Sequence, residues 1–99
     1  MLCYVAHAYG DSEDNYERAE RITHDLQVND TENCYICPLM VFSHLGYDEI
    51  PYDVSMDLCI DILSVCDKLI VASEVSEGVR REIEFADMVG MEVQYLETD

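Results

Sequence analysis

Short apolar runs alternate with longer amphipathic segments along this chain, and this alternation constrains its fold more than any other feature. Apolar runs short enough for buried strands occupy residues 2–7, 34–37, 67–72 and 91–96. Between them lie segments with apolar side chains at helical spacing, one ending near residue 28 and the others covering residues 54–66 and 76–89. Strands that alternate with helices pair in parallel through right-handed crossovers, so we predict a four-stranded parallel sheet in the order 2-1-3-4.

The predicted architecture is a three-layer α/β/α domain of the Rossmann-like or flavodoxin-like class. Residues 39–53 form a long connection, which we expect to be functional or partly helical because unstructured loops of this length are uncommon in small domains. A chain of 99 residues has room for one core, so we predict a single domain over residues 1–99. A core this small is marginal alone, and we therefore expect a homodimer or a larger homo-oligomer.

The formal net charge of −17 argues against several classes of partner. A surface of this sign repels nucleic-acid backbones and anionic lipid, so we predict no direct binding to nucleic acid and no membrane role. The sequence shows neither a signal peptide nor an apolar stretch long enough to span a bilayer. Five cysteines, an odd number set within apolar runs, favour free thiols in a reducing compartment, and we expect a cytoplasmic protein.

The segment from residue 73 to residue 86 carries the strongest functional signal. A predicted strand ends there, and Ser76 and Gly78 stand at the start of a helix, for which we predict Ser76 as N-cap and Gly90 as C-cap. Free N–H groups at that helix start and the Ser76 hydroxyl would bind an anion, and Gly78 would let a ligand approach the backbone closely. On a helical wheel Glu82 falls inside the apolar arc that contains Val79 and Ile83. A carboxylate in that position either pairs with a tyrosine or a backbone N–H, or it takes part in function.

These residues resemble the signature of a known superfamily. Ser76, Gly78 and the run Glu82-Ile83-Glu84-Phe85-Ala86 are similar to the motif of the nucleoside 2-deoxyribosyltransferase-like proteins, which include deoxynucleoside-monophosphate N-glycosidases. The likeness extends over almost the whole chain, where matching positions recur in order: Tyr9-Gly10, Asn15, residues 35–39 and Cys66-Asp67. Within the superfamily the chain most resembles small phage and bacterial domains of unknown function.

The resemblance implies roles for particular residues. It makes Glu82 the nucleophile that attacks the anomeric carbon of a deoxyribosyl group, and it places Tyr9, with Gly10 beside it, near the sugar. It also implies that the Ser76 hydroxyl binds the phosphate of a nucleotide ligand. Catalytic members carry an acidic residue on the helix before the third strand, whereas Cys59 stands at the matching position here.

Three further residues are candidates for ligand binding, each with a structural alternative. His7 and His44 fall in predicted strand-end loops, where they either line the site or have a structural role. Arg80, in the first turn of the last helix, either clamps a phosphate or pairs with a surface carboxylate. Cys34 and Cys37 have the spacing of half a zinc site, but a strand points residues three apart to opposite faces, so we predict no metal ligand set. The sequence also suggests no cofactor.

Three functions follow from these observations. The first is an enzyme that uses Glu82 to cleave the N-glycosidic bond of a nucleoside or nucleotide, or to transfer its deoxyribosyl group. The second is a non-catalytic protein that sequesters or senses a nucleotide-derived ligand, a role that would suit a phage counter-defence protein. The third is an acidic decoy for a nucleic-acid-binding partner, whose binding would weaken steeply as salt rises.

Overall fold

Parallel pairing joins four strands into one sheet in the order β2-β1-β3-β4, which confirms the predicted topology. The computed structural model describes residues 1–10, 12–46 and 48–96. The strands and helices run in the following order: β1 Leu2–Ala6, α1 Glu13–Asn29, β2 Cys34–Ile36, α2 Pro38–Phe42, α3 Tyr52–Leu63, β3 Lys68–Val71, α4 Glu77–Val89 and β4 Glu92–Tyr95. In the part of the chain that the structure describes, none of the helices is long and apolar enough to cross a membrane.

The two central strands, β1 and β3, are buried on both faces, so each face of the sheet has its own apolar cluster. One cluster joins Tyr4 and Leu69 to residues of α3 and α4, such as Leu63 and Val79. The other joins Val5 and Ala72 to Ala19 of α1. Alternate residues of a strand point to opposite faces, and this explains why neighbours such as Tyr4 and Val5 enter different clusters.

Local capping chemistry sets the bounds of α4 as predicted. The Ser76 side chain accepts a hydrogen bond from the backbone N–H of Val79, as an N-cap does. At the other end Gly90 closes the helix with a φ of 74°, a left-handed conformation that favours glycine. The helix therefore has the limits that Ser76 and Gly90 indicate in the sequence.

The connection between β2 and β3 is partly helical, as expected, but α3 has different ends from the predicted helix. Part of residues 39–53 is helical, because Pro38 ends β2 and at the same time occupies the first turn of α2. The next helix, α3, begins at Tyr52 rather than residue 54, directly after Pro51, whose φ of −57° suits a helix start. It ends at Leu63 rather than residue 66, because Val65 and Cys66 donate to carbonyls three residues back and so tighten the chain into a turn.

Candidate functional site

A cavity of about 410 Å³ lies where β1, β2 and β3 end, and α2, α3 and α4 close its sides. This volume falls within the range of small-molecule binding sites, which runs from about 300 to 1,000 Å³. Ligands of parallel α/β sheets bind outside the carboxyl ends of the strands, and the cavity has this position. Most of its wall is apolar, with side chains such as Leu39, Phe42 and Met56.

The cavity brings together six of the eight predicted site residues. Glu82 lies in its wall, and the ligand-binding candidates that join it there are His7, Tyr9, Gly10, Ser76 and Gly78. These residues come from the ends of two central strands and from the first two turns of α4, so the parallel topology is what assembles them. The helical wheel predicts Glu82, the helix start predicts Ser76 and Gly78, and the strand-end loop predicts His7, whereas Tyr9 and Gly10 follow from the resemblance.

The other two predicted residues, Arg80 and His44, do not line the cavity. Arg80 lies on the exposed side of α4, one turn before Glu84, and its guanidinium forms an ion pair with the Glu84 carboxylate. The pairing alternative for Arg80 is therefore the observed one. His44 is exposed just beyond α2, whereas its neighbours Ser43 and Leu45 line the cavity.

Glu82 combines burial with a hydrogen bond from a tyrosine. Its side chain lies on the buried face of α4 with Val79 and Ala86, and the residue is only 5% exposed. The hydroxyl of Tyr4 donates a hydrogen bond to Glu82 Oε2. Burial disfavours the charged form and raises the pKa of Glu82 to about 7, although the bond from Tyr4 acts in the opposite direction. The carboxyl group thus exchanges its proton near neutral pH.

Tyr4 is the site residue that the sequence reasoning missed. It lies in the middle of β1, is fully buried, and has a pKa well above its usual value because of burial and the neighbouring Glu82. The sequence signal that could have identified Tyr4 is a tyrosine inside an apolar strand, since a buried phenol needs a polar partner. The pairing alternative for Glu82 is therefore the observed one, and the paired residue also lines the cavity.

Gly78 has a different packing role from the expected one. A Cβ atom on this residue would lie 3.0 Å from Tyr52 Oη and 3.3 Å from Met56 Sδ. The space beside Gly78 is therefore filled by side chains of α3, and the missing side chain allows α3 to pack closely against α4. Its contribution to the cavity wall comes from the backbone at the helix start.

His7 is buried in the wall of the cavity, with only one ring nitrogen bonded. Its Nδ1 is 2.6 Å from the carbonyl oxygen of Ala8, and because a carbonyl can only accept, Nδ1 carries the proton. The other nitrogen, Nε2, is covered and has no hydrogen-bond partner among the described residues. A second strand-end contact, from the Ala8 N–H to Ser73 Oγ at 2.8 Å, holds this part of the chain against the end of β3.

Cys59 faces the cavity at the position where the resemblance leads one to expect an acid. Burial, with Glu82 nearby, raises the pKa of its thiol to about 11, so the thiol keeps its proton at neutral pH. Such a group is a poor proton donor to a leaving base. Within the described ranges, no group of three or more potential ligands is arranged to hold a metal ion.

The cavity wall carries negative but no positive side chains, among the residues that the structure describes. Glu77 and Glu82 line it, whereas no lysine or arginine does. Three cations form ion pairs elsewhere: Lys68 with Glu92, Arg80 with Glu84 and Arg81 with Asp53. The remaining two, Arg18 and Arg21, are exposed on α1.

A comparison with protein families matches residues 1–96 to a family model described as a Domain of unknown function (DUF7768). No curated protein and no solved structure matches the chain. The match covers the sheet, the helices and every cavity residue named above.

Proposed function

We propose that this chain, which belongs to the family described as a Domain of unknown function (DUF7768), cleaves the N-glycosidic bond of a nucleoside or nucleotide, or transfers its deoxyribosyl group, in the cytoplasm. One observation carries the proposal: the carboxyl group of Glu82, buried and held by Tyr4, lies in the wall of a ligand-sized cavity at the strand ends. The resemblance of the α4 motif to the nucleoside 2-deoxyribosyltransferase-like superfamily supports it from the sequence.

The proposed chemistry begins with the ionised form of Glu82. Tyr4 engages Oε2, which leaves Oε1 to attack the anomeric carbon of the sugar. As the new C–O bond forms, the C–N bond breaks and its electron pair leaves with the base. Water, or the nitrogen of a second base, then displaces the carboxylate from the glycosyl ester and completes hydrolysis or transfer. With a pKa of about 7, the nucleophilic form of Glu82 becomes more abundant as the pH rises through neutrality.

A second function, ligand binding without catalysis, is favoured by Cys59. A thiol whose pKa is about 11 supplies little help to a departing base, so the cavity has a candidate nucleophile in Glu82 but only a poor proton donor at Cys59. A protein that sequesters or senses a nucleoside would need the cavity and no acid. The two functions differ in whether free base is released.

The test is the release of free base, measured by chromatography over a panel of deoxynucleosides and their 5′-monophosphates, with calorimetric titration beside it. We expect Glu82→Gln to reduce turnover by orders of magnitude while affinity changes little, because the amide keeps the shape but cannot act as a nucleophile. Glu84→Gln is the matched control, since Glu84 is exposed on the same helix. Equal turnover by wild type and Glu82→Gln would remove Glu82 from the reaction, and binding without any base release would favour the non-catalytic function.

A further inference from the structure

Glu77 stands where a phosphate would bind. It is the first residue of α4, immediately after the N-cap Ser76, and it lines the cavity on its exposed side. The N–H groups of a first helical turn attract negative charge, and a carboxylate in that turn already supplies it. A ligand phosphate placed on the Ser76–Gly78 turn would have to share this position with the charge of Glu77.

Among the described residues, no cationic side chain lines the cavity wall to offset that charge. Arg81, which interacts electrostatically with Glu77, lies outside the wall and forms an ion pair with Asp53. The wall contains Glu77 and Glu82 but no lysine or arginine. For a phosphate dianion at roughly 6 Å from a carboxylate in a water-like dielectric, the repulsion weakens binding about tenfold. The acidic surface of the whole chain, with a net charge of −17, adds to the repulsion at low salt.

We propose that Glu77 makes the cavity selective for an uncharged ligand, so that a nucleoside binds in preference to its 5′-monophosphate. The inference rests on the proposed function, from which it takes a nucleoside as the ligand. It differs from the resemblance, which implies that the Ser76 hydroxyl binds a phosphate. In this arrangement the Ser76 hydroxyl caps α4, and Glu77 meets the positive end of the helix dipole in place of a ligand anion.

The chain offers a matched control for this residue. Glu13 is the first residue of α1, directly after the N-cap Ser12, so it repeats the position of Glu77 in another helix. It is exposed and does not line the cavity. Glu13→Gln and Glu77→Gln therefore change the net charge and the helix start equally, and only Glu77→Gln changes the charge beside the cavity.

The experiment is calorimetric titration of wild type, Glu77→Gln, Glu77→Ala and Glu13→Gln with 2′-deoxynucleosides and their 5′-monophosphates, at low and at moderate salt. We expect wild type to favour the nucleoside. Both Glu77 variants should bind the monophosphate more tightly with nucleoside affinity unchanged, so that the preference for nucleoside over monophosphate narrows about tenfold at low salt. At moderate salt the preference should narrow less, because the charge is screened. Glu13→Gln should keep the wild-type ratio. Thermal melts confirm that each variant is folded.

The outcomes separate this inference from the proposed function. A Glu77→Gln ratio equal to that of wild type, or a monophosphate that binds wild type more tightly than its nucleoside, would overturn the role of Glu77. Nucleoside binding with the predicted ratios but no base release would remove the catalytic proposal and leave the selectivity in place. A wild-type protein that binds no member of the panel would overturn both.

Discussion

Two tyrosine–carboxylate pairs in this molecule share the same chemistry but differ in environment. Behind the wall of the cavity, buried Tyr4 donates to Oε2 of Glu82, which lines the wall. At the sheet edge, partly exposed Tyr35 donates to Asp30 Oδ2 at 2.7 Å, and Asp30 also accepts from the Asn33 side chain and the Glu32 N–H. Among the described residues, the buried carboxylate accepts from one donor, whereas the partly exposed carboxylate accepts from several.

The pKa values of the two carboxyl groups move in opposite directions. Burial outweighs the tyrosine bond at Glu82 and raises its pKa to about 7. At Asp30 the bonds from Asn33 and Tyr35 lower the pKa below its usual value, and burial opposes them only weakly. Hydrogen bonds to the charged form favour ionisation, whereas loss of water opposes it, so the comparison shows that solvation decides which carboxylate can hold a proton near neutral pH.

The largest expected effect is on the pH dependence of stability. Because the pKa of Glu82 is raised from 4.5 to about 7 in the folded protein, the unfolded chain loses this proton first, and stability falls as the pH rises from about 4.5 to 7. The fall amounts to about 3 kcal/mol, from 1.36 kcal/mol per unit of pKa. We expect Glu82→Gln to lack it. Urea denaturation of both proteins from pH 5 to pH 8 measures the difference, and parallel curves would show that Glu82 is not desolvated.

A smaller effect should follow removal of the phenol. Tyr4→Phe leaves the buried Glu82 carboxylate without the donor on Oε2, and we expect a loss of about 2 kcal/mol above pH 7, where the carboxylate is charged. The loss should be less at pH 5, where the carboxyl group is protonated. Tyr35→Phe is the control at the sheet edge, and its loss should be smaller because Asp30 keeps other donors and contacts water. Equal losses from Tyr4→Phe and Tyr35→Phe at pH 8 would contradict this difference in environment.

The smallest effect concerns Asp30, and its sign is opposite. A lowered folded pKa contributes stability that is present above the unfolded value of 3.8 and is lost as the pH falls through the folded pKa. We expect Asp30→Asn to be less stable than wild type at neutral pH and to lose less on acidification. Denaturation at pH 7 and near pH 3 tests this, and a variant that tracks wild type across that range would remove Asp30 from the acid response.

Local patterns predicted the elements of the fold and most of the candidate site. The Ser76 and Gly90 caps and the apolar arc that holds Glu82 depend on residues within a few positions of one another, and all three are observed. The meeting of the strand-end loops was predictable for a different reason. Once the strands are predicted to be parallel, their carboxyl ends must lie at one edge of the sheet. The predicted end of α3 is three residues late because the apolar pattern continues through Val65 and Cys66, although the chain tightens into a turn after Leu63.

The sequence by itself therefore determined the order of strands and helices, the parallel sheet and the buried direction of Glu82. Only the tertiary structure decided that Tyr4, 78 residues away, bonds to Glu82, that α3 side chains fill the space beside Gly78, and that no cation reaches the cavity wall in the described part of the chain. The physical reason is range. Periodicity and capping act within one element, whereas desolvation, the choice of hydrogen-bond partner and the placement of charge depend on which elements pack together.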